Sequence, residues 1–439
     1  MREDVAPGGS SFSRREFLKL GGAGLGGVAL LGASACGGGE QQGGPVNLTF
    51  THGPDPSGTF QEQIAAFNEQ HGGEIQVEWR QMPAGPGYLD QLTTEYQAGA
   101  SEIDVPSGDV IWPAEFAASG WILDLSDRFT EGEREGFLPA PIQANTYDGG
   151  VWGVPWFTDA GMFYYRTDLL EKSGFSEPPR TWDELKEMTR KVRQDSGIRY
   201  GFVFQGANYE GGVVNGLEYI WTHGGDVLSG DEVVIDSPEA VAGLATERSM
   251  VAEGITPQAV ATYTEQESQQ TFLNGDAVFM RNWPYVYGSL TDPALSRIKP
   301  EQVDVAPLPA AEGNESFSGL GGWNLFISAT SEDQAEAAWE FIRYMSAPEQ
   351  QKRRALGGGY LPTLEDLYDD REILDEVPVI ALGKEAILNT RPRPVSPYYS
   401  DMALEMAEQF NASLKGDVPP EEAAGTLQEQ LQNIIEQAS

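Results

Sequence analysis

From Val46 onward, short runs with strand character alternate with capped amphipathic runs, and neither a long linker nor an internal repeat breaks the alternation. Val46-Asn47-Leu48-Thr49-Phe50 reads as a strand, Phe60 to Asn68 as a helix, and Ile75-Gln76-Val77-Glu78-Trp79 as a second strand of period two. Thr181-Trp182-Asp183-Glu184 is a capping box ahead of Leu185, Met188 and Val192, and Thr264-Glu265-Gln266-Glu267 is another ahead of Phe272. Ser331-Glu332-Asp333-Gln334 is expected to open a helix with Ala338, Phe341, Ile342 and Met345 on one face. The last helix follows Pro419-Pro420 and turns Leu427, Leu431, Ile434 and Ile435 inward. This alternation predicts an α/β architecture with mainly parallel sheets. The 439 residues suffice for two or three domains. Without a linker, two lobes that exchange chain segments fit better than beads on a string.

Charge narrows the partners. The chain carries 28 Lys plus Arg against 67 Asp plus Glu, a formal net charge of −39. So acidic a surface repels nucleic-acid phosphates and anionic head groups, and nucleic acid is excluded as a partner. The acidity itself reads as a solvated coat. One cysteine, Cys36, and three histidines, His52, His71 and His223, leave no material for an internal disulfide or a Cys-rich zinc site. No metal and no cofactor is expected. Catalysis that needs a histidine base has little to draw on, and no Asp-rich loop has EF-hand spacing.

The first 35 residues read as an address. Ser13-Arg14-Arg15-Glu16-Phe17-Leu18-Lys19 resembles a twin-arginine export signal. The uncharged run Leu20 to Ala35 is too short and too weakly apolar to span a bilayer and suits a signal-peptide core. Leu30-Leu31-Gly32-Ala33-Ser34-Ala35-Cys36 resembles a bacterial lipobox, in which small residues before Cys36 admit the peptidase. Residues 36–45, rich in Gly and Gln, then form a flexible tether. The expectation is an exported body held at the outer face of the cytoplasmic membrane by lipid on Cys36. Gly22-Ala23-Gly24-Leu25-Gly26-Gly27 matches a dinucleotide fingerprint by letter only, because it follows no strand and lies in the removed segment.

Five stretches stand in order: Gly108 to Trp112 with Phe116 to Leu125; Gly153 to Arg166 leading to Pro179-Arg180-Thr181-Trp182; Gly275 to Tyr285; Gly321 to Ser328; and Arg391 to Tyr399. Together they resemble one family, the bacterial extracellular solute-binding proteins of carbohydrate ABC importers. The second and third stretches look closest to the trehalose/maltose-binding branch. The resemblance implies a two-lobed periplasmic-binding-protein fold of type II, hinged, with an interlobe ligand cleft and no catalysis. The chain would cross between lobes near Trp156 and near Leu308. That assigns 46–157 and about 308–350 to the N-terminal lobe, and about 158–307 and 351–439 to the C-terminal lobe. The implied partners are a small sugar, ABC permease subunits with their ATPase, and the membrane through the N-terminal lipid. A monomer is expected.

A pyranose presents a rim of hydroxyls and faces of C–H bonds. Aromatic rings cover the faces, carboxylates accept from paired hydroxyls, and arginine donates a planar fork. Matching motif positions make Trp283 the stacking residue, with Tyr285 flanking it. Trp323 follows two glycines, of which Gly322 would let backbone amides approach the ligand. Asp109 and Asp159 match the positions that take hydroxyls, Arg393 the family arginine, and Tyr398 a further aromatic. Trp156 stands at the cleft edge if the crossover falls there, and in the core otherwise. The contact from the first helix could be Asp55, Thr59 or Gln61, while His52 reads as a strand-end residue. Two other readings stay open: a receptor for a cationic solute such as a polyamine, and a secreted glycosidase using two carboxylates.

Overall fold

The computed structural model describes residues 44–438 except 84, 85, 100, 101 and 231. The export signal, Cys36 and most of the tether lie outside the described residues. Two sheets organise the rest. Their strands, in chain order, are β1 (Val46–His52), β2 (Ile75–Gln81), β3 (Val105–Asp109), β4 (Val154–Ala160) and β5 (Met162–Arg166), then β6 (Tyr200–Val203), β7 (Ala277–Asn282), β8 (Val303–Ala306), β9 (Ser318–Leu325) and β10 (Thr390–Arg391).

The six-stranded sheet has the order β10-β9-β3-β1-β2, with β4 also paired to β9. The four-stranded sheet has the order β8-β5-β7-β6. Contrary to the expectation of mainly parallel pairing, both sheets are mixed. β1 runs parallel to β2 and β3, but β9 is antiparallel to β3 and β4. In the second sheet β5 is antiparallel to both β7 and β8, and only β6 and β7 are parallel. The antiparallel pairs involve the strands on which the chain passes from one sheet to the other, a tertiary event that periodicity does not encode.

The first passage is at Gly161, a single residue between β4 in one sheet and β5 in the other. The second lies between Ala306 and Ser318. Gly161 is required where it stands: a Cβ there would collide with the Glu218 carboxylate and the Arg281 guanidinium. These two form a buried, two-pronged ion pair, with Arg281 Nε and Nη2 donating to Glu218 at 2.8 and 2.6 Å. Glu218 also accepts from the Gly319 amide at 2.9 Å, so one carboxylate binds the strand start that follows the second passage.

Each sheet has its own core. Phe50, Phe60, Phe67, Trp156, Phe341 and Met345 pack around the first. Phe163, Trp182, Leu185, Val192, Phe202 and Phe279 pack around the second. A helical layer built on Leu217, Trp221, Met402, Met406, Phe410 and Leu427 adjoins. Both capping boxes form, the Thr181 hydroxyl accepting from the Glu184 amide at 3.1 Å, each worth about 1 kcal/mol. Ser331 does not open the following helix. That helix runs Ala335–Ser346, and Ser331 is buried, donating to Asp104 at 2.6 Å from the preceding 3₁₀ turn.

Candidate ligand-binding cavity

Strand register assembles the site. On β9, Gly321 lies opposite Asp159 of β4, Gly322 opposite Thr158, and Trp323 opposite Asp109 of β3. Two carboxylates and an indole from three distant segments thus share one sheet end. Gly322 has φ 115°, and a Cβ there would strike the backbone of Phe157 and Thr158. Glycine is needed at this position for the close pairing of β9 with β4, which is a different reason from amide approach to a ligand.

A cavity of about 270 Å³ opens here, lined by Asp109, Asp159, Gly322, Trp323, Trp283, Tyr285 and Arg393. Tyr209, Glu210, Gly211, Val214, Glu265 and Gly321 complete the wall. Larger surface hollows exist elsewhere, such as one of about 550 Å³ lined by Arg199, Gln266, Gln270 and Asp276. That hollow lacks the acid–indole pairing a recognition site needs, so the smaller cavity is the candidate.

Trp323 is held edge-on to His52 and Trp112 and stacked on Tyr88 at a centroid distance of 5.6 Å. His52 is buried at the end of β1 and bonded to Ser107 at 2.8 Å, and desolvation lowers its pKa to about 3. It is a neutral packing residue. Trp283 is backed by the Arg281 guanidinium, 4.2 Å from the ring centroid. Arg281 is itself fixed by Glu218, so the indole is clamped from behind. Tyr285 is 53% exposed at the cavity mouth.

The charges are unequal. Among the described residues, Arg393 is the one cation on the wall, against Asp109, Asp159, Glu210 and Glu265. Arg393 donates to Glu210 at 2.6 Å, to Asp109 at 3.4 Å and to the Leu320 carbonyl at 3.2 Å. Burial opposes the Arg393 charge, but Glu210, Tyr399 and Asp109 outweigh it and raise the pKa further. Burial raises the Asp109 pKa, with Glu210 adding to it and Arg393 opposing. Asp159 is pushed up to about 7, first by burial and then by Asp109. Among the described residues no donor reaches its carboxylate.

Two expected residues lie elsewhere. Trp156 is fully buried in the first core, its carbonyl accepting from Arg354 at 2.7 Å. The passage between sheets falls later, at Gly161, which leaves Trp156 inside the sheet. Tyr398 is half-buried and off the cavity wall. Its neighbour Tyr399 begins the helix Tyr399–Lys415, points inward, and donates to Glu210 at 2.6 Å. Asp55 lies ahead of the helix Thr59–Gln70, accepting from the Phe60 amide in its first turn at 2.8 Å and from the Tyr360 hydroxyl at 3.0 Å, and does not line the cavity. The residues missed are chiefly Tyr209, Glu210 and Glu265. The only sequence signal was an aromatic–acid pair running into Gly211-Gly212, and an acid just inside the Thr264 box.

The sequence profile of the bacterial extracellular solute-binding proteins matches residues 53–352. A probable ABC transporter-binding protein of Deinococcus radiodurans is 36% identical over 349 residues, 77% of this chain and 81% of its own length. A maltotriose-binding protein of Pyrococcus abyssi is 27% identical, over 65% of this chain and 60% of its own. Among solved structures, maltose-bound MalE3 of T. maritima superposes with a TM-score of 0.76 at 39% identity, covering 88% of this chain and 99% of that one. The cyclic alpha-maltosyl-1,6-maltose binding protein of Arthrobacter globiformis, at 21% identity, shares the fold with a TM-score of 0.78, covering 90% and 100%.

Proposed function

The chain belongs to the bacterial extracellular solute-binding proteins, a two-lobed family that binds solutes for ABC transporters and does not catalyse, and from that premise we propose that it captures a disaccharide of the maltose or trehalose kind. The sugar binds in the cavity between the sheets and is handed to a membrane permease driven by an ATPase. The protein acts as a monomer, anchored outside the cytoplasmic membrane by lipid on Cys36. Its two moving lobes part at the two passages, the first at Gly161 rather than after Phe157 and the second between Ala306 and Ser318.

One observation carries the reading. The carboxylate of Asp159, which no donor reaches among the described residues, and the clamped ring of Trp283 line the same cavity, both packed so closely on Gly321 that a Cβ there would touch them. A hydrogen-bond acceptor beside an apolar plate matches a pyranose, which has hydroxyls on its rim and C–H bonds on its face. The maltose named for the T. maritima protein supports the same class. Closure of the lobes follows from tighter binding to the closed form.

Four carboxylates against one arginine on the wall favour a second reading, a cationic solute such as spermidine. A melting-temperature screen separates the two. Stabilisation by maltose or trehalose that is insensitive to salt supports the sugar. A salt-sensitive response to spermidine alone transfers the assignment to a polyamine.

A further inference from the structure

We propose that Glu210 and Tyr399 are positioning residues that aim Arg393 across the cleft, so that affinity for the ligand depends on them through Arg393. This deepens the disaccharide reading and rests on it.

Arg393 has a long side chain whose freedom costs affinity unless it is fixed before the ligand arrives. The structure fixes it from three directions. Its backbone lies between Pro392 and Pro394, which confine the chain to extended geometry on either side. This segment leaves β10, on the edge of the six-stranded sheet, and enters the helix Tyr399–Lys415 in the helical layer. The arginine therefore stands on a connection between the two halves of the molecule. Its Nη2 reaches Asp109, at the end of β3, and the Leu320 carbonyl on β9. Its Nη1 is held by Glu210 Oε1, in the first turn of the helix Glu210–Trp221.

Glu210 Oε1 accepts a second bond, from the Tyr399 hydroxyl, also at 2.6 Å. Tyr399 is 1% exposed and packed with Val213, Leu217 and Met402. Its hydroxyl is thus a fixed donor on a buried scaffold, and it anchors a carboxylate that would otherwise swing on its stem. Glu210 then bridges a rigid core residue and the guanidinium. With Nη1 held by Glu210 and Nη2 by Asp109 and the Leu320 carbonyl, the guanidinium keeps one orientation on the cavity wall. A bare arginine at this place would sample many.

The test is a double-mutant cycle read by calorimetry with maltose, using Glu210→Ala, Arg393→Ala and the pair. The expected result is that Glu210→Ala weakens maltose by at least about tenfold beside Arg393 and by less than about twofold once Arg393 is alanine. Equal losses in both backgrounds would overturn the proposal, since Glu210 would then act on the ligand directly. Tyr399→Phe, which keeps the packing, should reproduce part of the loss with little change in melting temperature. A second arm needs no ligand. In side-chain ¹H–¹⁵N spectra, the Arg393 signal, identified by its loss in Arg393→Lys, should show hindered guanidinium rotation that Glu210→Gln or Tyr399→Phe releases. Unchanged rotation in both variants contradicts the proposal, even if maltose is not the ligand. Hindered rotation without maltose binding would leave the positioning intact and refute only the sugar.

Discussion

Asp159→Asn probes the acceptor on which the proposed sugar recognition depends. Burial and the neighbouring Asp109 place the Asp159 pKa at about 7, against 3.8 for an ordinary aspartate. At neutral pH about half the free molecules therefore carry a proton there. A ligand hydroxyl that donates to the carboxylate binds only the ionised form well and lowers its pKa, so binding expels that proton. Near pH 7 about half a proton should be released per ligand, and affinity should fall by up to about tenfold for each unit below that. Above the transition, Asn replaces a charged acceptor by a neutral one and should cost about 1.5–3 kcal/mol of binding. Stability runs in the matching direction. The folded pKa lies above the unfolded one, so the fold loses stability as pH climbs from about 4 to about 7, a slope the Asn variant lacks. Calorimetry in two buffers of different ionisation enthalpy, from about pH 5 to about pH 8, reads the proton count directly. Proton uptake on binding, or the same pH profile in both proteins, would refute the reasoning.

Three further outcomes are expected. Trp283→Ala should weaken sugar binding by about 1–3 kcal/mol with little change in melting temperature, and intact binding with an early melt would make Trp283 a core residue. Glu247 is buried, its Oε2 without a hydrogen-bond partner among the described residues, and burial pushes its pKa from 4.5 to about 8. Because the fold holds a proton that the unfolded chain releases, Glu247→Gln should stabilise by about 3 kcal/mol at pH 7 and by nothing below about pH 4.5; urea titrations across that range check it, and equal curves at both ends would contradict it. Cys36→Ser should release the protein from membranes without altering affinity, and unchanged retention in a fractionation would assign the anchor to the uncleaved signal.

Much of the candidate cavity could be read from the chain because its wall sits on motifs. Asp109, Asp159 and Trp323 each belong to an ordered stretch, and the register of β9 joins them. Trp283 and Arg393 come from two more stretches and reach the same wall. Glu210 escaped because an acid at a helix start has an ordinary local explanation, and nothing nearby shows that Arg393, far along the chain, will meet it. Tyr398 and Tyr399 differ only in helical phase, which is set by where the helix begins after Pro397. Strand direction was misjudged for a related reason. Alternation of elements specifies layers, whereas the antiparallel placement of β9 depends on a chain that has already left the first sheet and returned. The 3₁₀ turn at Ser331 replaced an expected helix start because Asp104 captures the serine hydroxyl.

The most direct measurement is calorimetric titration of the mature protein with trehalose, maltose, sucrose and spermidine. Saturable binding of one disaccharide with unit stoichiometry, unchanged by salt and weakened by Trp283→Ala, is the predicted result. Silence from every sugar with salt-sensitive binding of spermidine would contradict it, leaving the receptor fold and replacing its ligand.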